Sequence, residues 1–281
     1  MAVILGLAAA LTYGTADFFG GLATRKTRVF TVVLLMQVFG GLLLLALFPF
    51  FADVAPSADA IWWGALSGIA GGTGVTFFYQ ALAIGRMSIV APITGVVAAS
   101  VPVIFGLLAG ERPSGLALGG VILSLLAVAL VSRSSEDEAG ETQDLLASGI
   151  VHALVAGLGF GGFFILLSEA GHDTGLWPLV GTRLSSTVLL AVALLVARGW
   201  EKPSAKTWPL IAGAGVCDVA ANLFFLLAAR EGLLSIVAVL TSMYPAATVL
   251  LARIVLGEKL GGTQLGGLAT AALGVVAISV G

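Results

Sequence analysis

The chain has 281 residues, of which 28 are charged (13 Lys and Arg, 15 Asp and Glu), while 59% are hydrophobic. Soluble domains carry about 25% charged residues, so 10% charge and a mean hydropathy of +1.10 exclude a soluble enzyme. A net charge of −2 with no basic patch excludes a nucleic-acid partner. The chain reads as an integral membrane protein surrounded by lipid. The first residues, Met1 to Gly6, lack the basic stretch of a secretion signal, and a lone cysteine, Cys217, permits no internal disulfide and no metal cluster.

A membrane helix needs about 20 mostly apolar residues. Breaking the chain at charges, prolines and glycine clusters predicts ten spans: 2–22, 29–51, 60–84, 88–109, 115–132, 146–168, 175–197, 208–229, 233–256 and 262–280. The runs are continuously apolar, whereas strands of a membrane barrel would alternate over about 10 residues. The expected fold is therefore all-α.

The first span carries Tyr13-Gly14 and, one turn further on the same face, Asp17. Its carboxylate lies roughly 12 Å along the helix from Arg25 at 1.5 Å per residue. Two readings stand for it: lining a pathway and holding a proton or a cationic group, or snorkelling to pair with Arg25. The third span has Gly68, Gly72, Thr76 and Gln80 at four-residue spacing. The glycines suit close helix packing, and Thr76 and Gln80 continue the stripe as polar cavity candidates. In the fourth span Pro92 and Pro102 are expected to interrupt the helix, with Thr94 nearby, before Gly110-Glu111-Arg112.

The polar stretch Arg133 to Asp144 is the expected acidic linker between two halves, giving domains 1–132 and 146–281 joined by 133–145. Beyond it, Phe160 sits on the sixth span and Arg183 inside the seventh. Asp218 and Asn222 lie one turn apart on the eighth. Charges inside a membrane cost at least a few kcal/mol, so Arg183 and Asp218 are read either as a structural pair or as substrate anchors. The ninth span carries Thr241 and Ser242 before Tyr244-Pro245, a second interruption, and closes at Gly257-Glu258-Lys259. His152 and His172 have no ligand spacing, and no metal or cofactor is expected. Trp62, Trp63, Trp177, Trp200 and Trp208 suit interface anchors.

The halves repeat each other at an offset of 147 positions. Tyr13-Gly14 falls on Phe160-Gly161, Phe77-Phe78 on Phe224-Phe225, and Ser88-Ile89-Val90 on Ser235-Ile236-Val237. Gly110-Glu111 falls on Gly257-Glu258. Arg183 corresponds to Gln37 with a slip of one residue. Asp17 corresponds to Phe164 and Asp218 to Gly71, so the acids are not symmetric. Five spans per half is an odd number, so the second copy must cross the membrane in the opposite sense. Inverted repeats around a midplane site are a transporter signature.

This ordered set of motifs resembles the drug/metabolite transporter superfamily and, within it, the EamA-type family of ten-helix permeases. The carrying residues are Tyr13-Gly14, where the family often has Trp-Gly, the run Ala81 to Pro92 with Pro102 and Gly110-Glu111, and their second copy at Ala228 to Val239, Tyr244-Pro245 and Gly257-Glu258. The resemblance covers essentially the whole chain. It implies a two-fold pseudosymmetric basket of ten helices around a central cavity and a permease for small metabolites or drugs, often an exporter. Small multidrug-resistance relatives use a carboxylate in the first helix for proton coupling, which makes Asp17 suggestive here.

These readings converge on a secondary transporter, expected to export small metabolites such as amino acids or related compounds by alternating access, with Asp17 or Asp218 as proton-coupling candidates. The alternatives are a facilitative uptake permease or channel for small polar solutes, or a multidrug exporter. A membrane enzyme would need clustered acid, base or metal groups, which the sequence lacks, and no ATP-binding glycine loop is present. The expected cavity draws on spans one, three, four, six, eight and nine, with Tyr13, Asp17, Thr76, Gln80, Pro92, Thr94, Phe160, Arg183, Asp218, Asn222, Thr241 and Tyr244 as its residues. The expected partners are a small-molecule substrate and lipid, with a monomer in a bacterial inner membrane. Alternate loops hold nine Lys and Arg on one side and two, Arg112 and Arg230, on the other. By the positive-inside rule this places both termini outside.

Overall fold

A computed structural model of the chain describes residues 1–51, 54–84, 87–131, 149–256 and 261–281. Among them there is no strand. Eleven α-helices follow in order: α1 (Ala2–Thr24), α2 (Val29–Leu47), α3 (Ala58–Ile84), α4 (Met87–Leu108), α5 (Gly115–Val131), α6 (Ile150–Ser168), α7 (Trp177–Ala197), α8 (Trp208–Glu231), α9 (Leu234–Thr241), α10 (Tyr244–Leu256) and α11 (Gly262–Val280). The acidic linker, Gly85-Arg86 and Gly257-Glu258-Lys259 lie outside the described residues.

Among the described residues six segments are long and apolar enough to cross a bilayer: α1, Val29–Phe50, α6, α7, α8 and Leu234–Val255. Shorter apolar helices cover Ile93–Leu108, Gly115–Leu130 and Leu265–Ile278. The outer surface is apolar, with Leu195 75% and Ile254 76% exposed among many aliphatic side chains. Such a surface is costly in water and natural in lipid.

Pro245 breaks the ninth span as expected. Its missing N–H falls in the first turn of α10, where no intrahelical partner exists, and α9 has already ended at Thr241. The fourth span departs from expectation, because α4 runs unbroken from Met87 to Leu108 through both Pro92 and Pro102. A proline removes one backbone donor, and packed neighbours in a membrane bundle accommodate that loss without ending the helix.

The two halves are interlaced. α1 packs along α8 as α6 packs along α3, and α2 lies on α8 as α7 lies on α3. α1 meets α9 and α10 as α6 meets α4, while α5 pairs with α11 and α2 with α7. Exchanging the repeats reproduces the pattern. Glycines set the close crossings. A Cβ on Gly14 would come within 2.6 Å of Ala247 Cβ on α10, and one on the repeat-related Gly161 within 2.7 Å of Val101 Cβ on α4.

One carboxylate ties the halves together at a helix end. Gly110 adopts φ +100°, a conformation natural to glycine, and turns the chain after α4. Glu111 then accepts the backbone N–H groups of Leu234 at 2.6 Å and Ser235 at 3.0 Å. These are unpaired amides at the start of α9, where a negative charge also meets the positive end of the helix dipole.

Candidate functional site

A cavity of about 80 Å³ opens where α1, α2, α3, α6, α7, α8 and α10 converge. About 10–15 Å³ of such space holds one water, so it has room for a small solute or several waters. Its floor of small residues follows from the glycine stripe of α3, where Gly68, Gly71 and Gly72 line it. A Cβ on Gly68 would come within 2.8 Å of Thr182 Cα, so this glycine lets α7 approach and brings Thr182, Arg183 and Ser186 to the wall.

Five polar side chains from both halves form one hydrogen-bonded chain across this space. Arg183 on α7 is 7% exposed and Gln37 on α2 is 8% exposed. Arg183 Nη1 donates to Gln37 Oε1, and its Nη2 pairs with Asp218 Oδ2 on α8 at 2.8 Å. Asn222, one turn along α8, donates from Nδ2 to the same oxygen at 3.3 Å. Tyr13 on α1 closes the chain by donating its hydroxyl to Asn222 Oδ1. The Arg183 Nε–H is buried without a partner among the described residues.

Asp17 also lines the cavity. Among the described residues it has no hydrogen-bond or ion-pair partner, and Arg183–Asp218 is the one ion pair. Arg25 is exposed at the end of α1 and does not reach it. Two tyrosines that also line the cavity, Tyr79 and Tyr244, are 2% and 5% exposed, and their hydroxyls have no partner among the described residues.

Part of the lining is aromatic. Phe160, Phe163 and Phe164 of α6 supply it. Phe164 is braced by Phe225, with ring centroids 4.5 Å apart, and by Phe163 at 5.5 Å.

Of the residues expected from sequence, Tyr13, Asp17, Phe160, Arg183, Asp218, Asn222 and Tyr244 are brought together here. Thr76, Gln80, Thr94 and Thr241 are not among the lining residues. The Thr76 hydroxyl bonds back to Gly72 O of its own helix at 2.8 Å. Thr94 is buried and donates to Ala153 O at 3.2 Å, and Thr241 is fully buried. The side chain of Pro92 lies outside the described part of the structure. Among the described residues no side chain of α4 lines the cavity, while α2 and α7, absent from the expected set of helices, supply Met36, Gln37, Thr182, Arg183 and Ser186. Gln37 and Tyr79 were not read as site residues. The repeat offered a signal for Gln37, the near-equivalent of Arg183. For Tyr79 the signal was its hydroxyl at the end of the Phe77-Phe78-Tyr79 run.

An all-helical bundle with an apolar exterior, two interlaced repeats and a polar site at their junction defines a membrane transporter. The chain belongs to the EamA-like transporter family, whose model matches residues 1–133 and again 147–280. It is thus a membrane protein that moves small solutes. No curated protein matches it in sequence. A solved structure described as "Crystal structure of protein" superposes with a TM-score of 0.82 at 17% identity, covering 99% of this chain and 96% of its own. That likeness is one of fold.

Proposed function

We propose that the protein is a secondary transporter that exports small amphipathic metabolites by alternating access, with ten spans, both termini outside and the halves 1–132 and 146–281 rocking about the central cavity. The observation that carries this reading is the hydrogen-bonded chain from Gln37 and Tyr13 of one half to Arg183, Asp218 and Asn222 of the other. A polar site at the junction of two repeats is where rocking of one half against the other changes access.

Proton coupling is assigned to Asp17 rather than Asp218. Asp218 already compensates Arg183, so protonating it would leave a buried cation unpaired. Asp17 has no such duty and is free to change its charge.

Reconstitution in proteoliposomes tests the reading. Labelled arylalkylamines are expected to show saturable flux with trans-stimulation, accelerated by an imposed pH gradient. Flux that neither saturates nor shows counterflow indicates a channel and overturns alternating access. Wild-type flux indifferent to the pH gradient overturns the coupling. Orientation is tested by a single cysteine placed in the Arg25–Arg28 loop after Cys217 is removed. Labelling of intact cells by a membrane-impermeant reagent overturns the outside placement of the termini.

A further inference from the structure

The repeat makes the two walls of the cavity chemically unequal, and this asymmetry specifies a ligand. Asp17 and Asp218 stand on α1 and α8, which pack along each other. Their repeat equivalents, Phe164 and Gly71, stand on α6 and α3, which form the matching pair. Sites that are related by the repeat thus hold two carboxylates on one helix pair and a phenyl ring and a glycine on the other. A Cβ on Gly71 would lie 2.9 Å from Phe163 Cδ2, so the aromatic wall is packed flush.

The charges lining the cavity are Asp17, Asp218 and Arg183. Arg183 and Asp218 neutralise each other at 2.8 Å. Asp17 remains uncompensated in a cavity also lined by Tyr79 and Tyr244, whose buried hydroxyls have no partner among the described residues; the Tyr79 hydroxyl lies against Gly20, one turn along α1 from Asp17. A carboxylate and two hydroxyl oxygens together form an acceptor set for an ammonium group, which has only donors to offer. A desolvated cation is attracted further by aromatic faces, and Phe160, Phe163 and Phe164 supply them.

We propose that Asp17, with Tyr79 and Tyr244, is the seat of a substrate ammonium group, and that the protein selects monocationic amines with an apolar or aromatic body over anions and zwitterions. This rests on the transporter reading above and names its substrate class. A free carboxylate would meet Asp17 as a like charge, and the charge of the guanidinium that would receive it is already balanced by Asp218.

The test is binding to the purified full-length protein by isothermal titration at neutral pH. Four ligands of similar size are compared: 2-phenylethylamine, 2-phenylethanol, 3-phenylpropanoate and L-phenylalanine. The amine is expected to bind at least tenfold more tightly than each of the others. This comparison needs no variant. In Asp17→Asn the preference for the amine over the alcohol is expected to fall to within about threefold, and Tyr79→Phe to reduce it partially. A general loss of fold weakens both ligands alike and leaves the ratio in place. The proposal is overturned if the anion or the zwitterion binds as tightly as the amine, if none of the four binds, or if Asp17→Asn keeps the full preference. An amine that binds but shows no counterflow in proteoliposomes leaves this assignment standing and fails the transporter reading instead.

Discussion

Gln37 and Arg183 stand 146 positions apart and are hydrogen-bonded to each other, with Arg183 Nη1 donating to Gln37 Oε1. The repeat offset is 147, so two nearly equivalent positions meet where the halves face each other. At such a place a residue contacts its own counterpart, and an identical pair of cations there would repel. Divergence to Gln and Arg leaves a donor facing an acceptor, and Asp218 on the neighbouring α8 balances the remaining charge.

The charge pair is expected to behave as a unit. Removing one partner of a buried ion pair typically costs about 3–5 kcal/mol, because the other charge is left uncompensated. Asp218→Ala, which strands the buried Arg183, should destabilise the purified protein towards that scale, and Arg183→Ala by less, because the Asp218 side chain is 30% exposed. The double variant should cost less than their sum, by about 0.5–3 kcal/mol as for other contacting pairs. Chemical unfolding in detergent measures all three, and strict additivity would show that the pair has no energetic coupling.

Two neighbouring glycines of α1 are expected to respond in opposite directions. A Cβ on Gly20 would collide with the Tyr79 hydroxyl and lie 3.0 Å from Tyr79 Cζ, whereas one on Gly21 meets nothing within 4 Å. Gly20→Ala should therefore displace Tyr79 and destabilise by about 1–3 kcal/mol, the usual range for overpacking. Gly21→Ala should stabilise by about 0.5–1 kcal/mol through helix propensity. Thermal unfolding of the two variants side by side decides it, and equal shifts would refute the assigned packing.

Glu111 should matter in graded fashion. Glu111→Ala leaves the Leu234 and Ser235 amides without their acceptor and should cost about 0.5–2 kcal/mol, as the loss of a helix cap does. Glu111→Gln keeps one oxygen and loses the charge at the helix terminus, worth about 0.3–1 kcal/mol. The expected order of stability is wild type, then Gln, then Ala. A Gln variant less stable than Ala in the same unfolding assay would contradict the capping role.

Much of the architecture was legible along the chain. The apolar runs predict helices because lipid offers backbone groups no partners, so each span must satisfy its own. The break at Tyr244-Pro245 was readable from one missing donor. The same rule failed at Pro92 and Pro102, because whether a proline ends a helix depends on what packs around it, and local sequence does not carry that. Helical spacing likewise put Thr76 on a polar stripe with Gln80, but the hydroxyl turned back onto Gly72 of its own helix.

The sequence by itself determined the membrane class, the two repeats and the short set of charges that must be buried. Those follow from composition and from period along one helix. Only the tertiary structure decided which of those charges cancel. Asp17 and Asp218 are equally acidic in the sequence, yet Asp218 pairs with Arg183 while Asp17 lines the same cavity with no ion-pair partner among the described residues. The pairing depends on contacts between helices far apart in the chain, α7 with α2 and α8 with α1. A helix's own period says which residues share a face, while the neighbour that face meets is chosen by packing.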